Sequence, residues 1–80
     1  MSNLNNTHLK EATAAFIHLI KNGSTQDDEA IKKIRILKPH LNDETIIIGL
    51  SRAKELLFKP EYLTEELRRE IEQWDSAEDS

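Results

Sequence analysis

Apolar residues recur along this chain at spacings of three and four, the period of amphipathic helices rather than of strands. Leu9, Ala12, Phe16, Leu19 and Ile20 make the first such stripe, and Ala30, Ile31, Ile34 and Leu37 the second. Ile46, Leu50, Ala53 and Leu57 follow, then Leu63, Leu67, Ile71 and Trp74. Polar signals bracket each stripe. Asn5, Asn6 and Thr7 are all able to cap a first helix, and Lys21-Asn22-Gly23 ends it with a cation and then a glycine. Ser24 or Thr25 starts the second helix, with an aspartate three residues on. Lys38-Pro39 closes it, because the residue before a proline is driven out of helical geometry. Asn42 caps the third helix, Lys59-Pro60 closes it, and Thr64 caps the fourth ahead of Glu65 and Glu66.

The pattern predicts an all-α fold, a compact four-helix antiparallel bundle with short connections. Residues 1–80 read as a single helical domain, with 1–6 a flexible arm and 75–80 a frayed acidic tail. Asn42 to Lys59 is the longest patterned stretch, and the other helices are expected to be arranged around it. Its run Ile46-Ile47-Ile48 departs from simple amphipathicity, since successive residues stand about 100° apart and cannot share one stripe. With Ile46, Leu50, Ala53 and Leu57 facing inward, Ile47 falls about 90° from the stripe's centre and Ile48 nearly opposite it.

Composition sharpens this picture. Two glycines and two prolines in 80 residues leave room for few tight turns and favour long regular elements. There is no cysteine, so neither a disulfide nor a thiolate-ligated metal can support so small a core. The amino terminus lacks the basic-then-apolar order of a signal peptide, and no apolar run approaches the roughly 20 residues of a membrane span. The expectation is a cytoplasmic protein with no membrane partner. The net charge of −4 disfavours general affinity for nucleic acid.

Candidate chemistry is sparse. His8, His18 and His40 have no histidine three to five residues away, which removes helical zinc spacings. His18 and His40 are expected to face solvent, His18 beside Glu11, Ala14 and Ala15. His40 and Asp43 would need further ligands to hold a metal. No serine sits in a nucleophile elbow, the glycines are isolated, and Asp27-Asp28-Glu29 lacks the order of a calcium loop. No catalytic residue, cofactor or metal is expected, and the chain does not read as an enzyme. Tyr62 and Trp74 are expected to serve as lids on the core.

Two surfaces remain. The carboxyl end of the second helix carries Lys32, Lys33, Arg35 and Lys38. With the third helix it suggests, as the alternative reading, a dimeric nucleic-acid-associated transcriptional regulator. The outward residues of the would-be recognition helix include Glu44, Glu55 and an isoleucine, however, which suit phosphates and base edges poorly. The preferred surface is Glu44, Ile47, Ile48, Ser51, Arg52 and Glu55, with Ile48 ringed by charges as the centre of a contact with another protein. The paired alanines Ala14 and Ala15 form a second flat candidate. The chain therefore reads as a small non-catalytic interaction module or regulator that occupies a partner's surface, with a homodimer as one arrangement. Its acidity favours a partner with a basic surface. Small acidic helical bundles recur among immunity proteins, antitoxins, phage-encoded inhibitors and anti-adaptors, a comparison of architecture and not of motif.

Overall fold

The computed structural model describes residues 5–21, 23 and 26–79, with 75 and 77–79 in backbone only. Four helices, α1 (Asn6–Lys21), α2 (Asp27–Leu37), α3 (Asp43–Phe58) and α4 (Glu65–Asp79), are joined by short connections, the last holding a 3₁₀ turn at Pro60–Tyr62. The chain is an all-α four-helix bundle, with no strand among the described residues. Its radius of gyration is 11.8 Å, close to the roughly 12 Å of a folded domain of this length.

Local chemistry starts most of these helices where the sequence indicates. The Asn5 carboxamide accepts from the backbone N–H groups of Thr7 and His8, at 2.8 and 3.3 Å. Asn42 accepts from Thr45 N–H at 2.8 Å, and the Thr64 hydroxyl from Leu67 N–H at 3.2 Å. Each side chain thus satisfies one of the donors that a helix start leaves unpaired. Asn42→Ala should therefore cost about 1 kcal/mol, read as a lower urea midpoint with an unchanged slope. Ser24 and Thr25 lie outside the described residues. The residue preceding α2 is Gln26, which makes no side-chain cap. α4 stays helical through Asp79, across most of the stretch expected to fray, since neither glycine nor proline follows Pro60 to interrupt it.

The largest departure from the sequence reading concerns the centre of the molecule. α1, not α3, is the helix the others pack around: α2, α3 and α4 all lie against it. Ala12 to His18 are buried without interruption, almost two turns covered on every side. A helix that is apolar all round is a buried helix. The alanines at 12, 14 and 15 are what let three neighbours approach so closely. Ala14 and Ala15, expected on an open outer face, are fully buried. His18, expected in solvent, is buried with its ring 5.8 Å from that of Trp74.

The helix directions follow from paired contacts. Asp27 is ion-paired with Lys54 and Arg35 with Asp43, the latter at 3.1 Å, so α2 and α3 run antiparallel. Both pairs are exposed and contribute less than about 1 kcal/mol each. Their value is in fixing register. Lys10 reaches Glu66 at 3.3 Å while His18 lies against Trp74, so α1 and α4 run in the same direction. The antiparallel pairing expected of short connections holds for α2 and α3; the 3₁₀ turn between α3 and α4 redirects the chain before α4 docks.

α3 meets α1 through Thr45, Ile46, Gly49, Leu50 and Ala53. The crossing point is Gly49, where an added Cβ would lie 2.7 Å from the Ala12 Cβ and 3.2 Å from α1 backbone. Two small residues bring the backbones together, and the buried stripe is thereby centred on Gly49 rather than on the bulkier Leu50. Relative to the apolar pattern, α3 is turned by about 40°. Leu57, expected in the core stripe, is exposed: it shares the angular position of the buried Ile46 and Leu50 but lies in the last turn of α3. Leu37, expected to be buried in the second stripe, is also exposed, because α2 sends only Ala30 and Ile34 fully inward.

Candidate interaction surface

The two isoleucines that flank the buried stripe of α3 differ in exposure. Ile47 is 58% exposed, whereas Ile48 is half-buried, the reverse of the order expected from the apolar stripe. Measured from the observed stripe, the two stand about 130° away on opposite sides. The side of Ile47 also carries Asp43 and Lys54, which pair with α2. Along that seam Asp27 and Arg35 of α2 meet Lys54 and Asp43 of α3, one ion pair at each end.

The remaining residues of the expected surface fall into two groups. Glu44 and Ser51 share the outward face with Ile47 and are exposed. Arg52 and Glu55, also exposed, lie on the Ile48 side and line a cleft of about 450 Å³ floored by Leu9, Thr13 and Leu67. The surface is therefore one helix face with a cleft along one flank, not a ring around Ile48.

Phe58 belongs to none of the apolar stripes. It is 82% exposed and lies eleven residues beyond Ile47, about 20° around the helix and 17 Å along it. Ile47, Ser51, Lys54 and Phe58 thus share the outward face at spacings of four, three and four. That spacing was readable in the sequence, but only once the core stripe was centred on Gly49. Tyr62, expected as a core lid, is 63% exposed, with the Lys59 ammonium 6.0 Å from its ring centre. Trp74 does pack against the core, with the Lys38 ammonium 5.2 Å over its ring.

Trp74 and Asp43 also determine the fate of the basic end of α2. Lys38 covers the indole and Arg35 is paired with Asp43, which leaves Lys32 and Lys33 as the exposed cations of that group without such contacts among the described residues. The histidines are likewise engaged. His40 Nε2 lies 2.8 Å from Glu11 Oε2, tying the α2–α3 connection to α1, and the His8 ring stands edge-on to that of His40 at 5.0 Å. No group of three or more His, Cys, Asp or Glu side chains among the described residues is arranged to hold a metal ion. No helix among them is long and apolar enough to cross a membrane. No family model, curated protein or solved structure matches this chain.

Proposed function

We propose that this chain is a non-catalytic protein–protein interaction module, a small regulator of the inhibitor, immunity or adaptor kind that works by occupying a partner's surface. The observation that carries the reading is Ile47, a large apolar side chain 58% exposed on α3, about 130° from the stripe that holds the core together. An apolar centre within a charged rim is the usual anatomy of a contact patch. Glu44 and Glu55 are exposed at that rim, which matches a partner presenting basic groups and hastens encounter with it. A cytoplasmic setting accords with a chain that has no cysteine to oxidise.

The test is a comparison of wild type with Ile47→Asp. The exposed site tolerates the substitution, so the thermal midpoint should move by no more than a few degrees. Affinity for a partner captured from the source cell should fall by about 30-fold or more, the loss associated with a central anchor. Ile48→Asp, at a half-buried position, should cost stability as well as binding. Unchanged partner affinity in Ile47→Asp would remove this face from the interaction and the reading with it.

A further inference from the structure

Phe58 and an apolar pocket lie at the same end of the molecule. The pocket has a volume of about 260 Å³ and opens between the ends of α1 and α3, the 3₁₀ turn and α4. Ile17, Leu56, Leu57, Pro60, Leu63 and Ile71 make its walls. For scale, an engineered cavity of about 150 Å³ takes up benzene, so a phenyl ring fits this one with room for its stem. Phe58 itself does not fill it: on α3 it points away from the core stripe and stands 82% in solvent. One protomer thus offers an aromatic knob and, beside it in sequence, an apolar hole.

From this pairing we infer that the chain forms a two-fold homodimer in which each protomer's Phe58 occupies the other's pocket. A two-fold contact requires a single patch to be self-complementary, with each element meeting its counterpart twice. The knob and hole satisfy that requirement, and the rim of the hole carries two cations, Lys21 and Arg68, to one carboxylate, Glu72. Arg68 lies at the pocket's rim and Glu61 between Phe58 and Tyr62 in the chain, and neither is engaged in an ion pair among the described residues. Seating Phe58 in the opposite pocket carries Glu61 toward the opposite Arg68, twice over. Area agrees as well. Phe58 and the exposed Tyr62, at roughly 150 Å² or more each, counted on both protomers with an equal area of wall, reach about 1,200 Å². That is the lower end of specific interfaces, and its strength depends on how well Phe58 fills the pocket rather than on area. The dimer is independent of the partner contact at Ile47, which lies about 17 Å away along α3.

Sedimentation equilibrium of the purified chain tests this without any partner. Wild type should pass from monomer to dimer with rising concentration. Phe58→Ala deletes both knobs at once, and two losses of about 30-fold each should raise the dissociation constant about 1,000-fold. Glu61→Arg and Arg68→Glu, both exposed and harmless to the fold, should each weaken the dimer, and their combination should restore it. Ile47→Asp should leave it unchanged. A wild type still monomeric at about 1 mM, or a dimer indifferent to Phe58→Ala, would overturn the inference while leaving the Ile47 reading standing.

Discussion

Phe16→Ala should take this protein to the edge of unfolding, with a loss of about 3–5 kcal/mol. Phe16 is fully buried on the one helix that every other helix touches, so its deletion leaves a cavity that no single element can collapse to fill. An 80-residue domain holds only about 4–12 kcal/mol in total, which makes the loss a large share of the whole. Urea denaturation followed by the fluorescence of the single tryptophan, Trp74, packed against His18 of α1, is a direct measurement. Phe58→Ala, the same chemical change at an exposed site, should alter monomer stability by less than about 0.5 kcal/mol. A loss below about 1 kcal/mol for Phe16→Ala would mean that α1 is not the centre of the core.

The second large effect is expected at Gly49. Replacing glycine by alanine inside a helix ordinarily stabilises it by about 1 kcal/mol. Here the sign should reverse. The new methyl would meet the Ala12 Cβ at 2.7 Å, and neither that atom nor the α1 backbone behind it can swing aside. Overpacking of this kind costs about 1–3 kcal/mol, so Gly49→Ala should destabilise by about 1 kcal/mol net, and Gly49→Val by about 3 kcal/mol. Coupling gives the stricter check. Ala12→Gly removes the atom that clashes, so Gly49→Ala should be less harmful in that background than alone, by an amount above about 0.5 kcal/mol. Additive effects would show that the α1–α3 crossing is looser than this contact implies.

Both predictions concern residues that a reading of apolar spacing treats as ordinary. The helices themselves were legible in the chain: the stripes set their type, and Asn5, Asn42, Thr64, Pro39 and Pro60 set most of their limits by local hydrogen bonding and backbone sterics. Their rotation about their own axes was harder to read. Spacing weights large apolar side chains, so it aims α3 along Leu50 and Leu57. The fold aims it along Gly49, because two small residues allow a closer approach and bury more of both helices. Ile47 and Ile48 flank that stripe on opposite sides, Ile47 exposed and Ile48 half-buried, and Phe58 shares a face with Ile47.

The central position of α1 was also present in the sequence, though in a less familiar form. Ala-Thr-Ala-Ala-Phe-Ile is apolar on nearly every side, with a threonine that donates its hydroxyl back to Leu9 O at 2.8 Å. Read as a stripe, this segment leaves two alanines idle on an outer face. Read as an all-round apolar helix, it belongs in the middle.

The sequence by itself thus determined the class of fold, the number of helices and most of their ends, because caps, prolines and helical periodicity act within a few residues of one another. Only the tertiary structure decided which helix lies at the centre, how α3 is turned upon it and which isoleucine meets solvent. The turn of α3 depends on the fit of Ala12 against Gly49, 37 positions apart in the chain, and a close approach between distant residues leaves no period along the sequence.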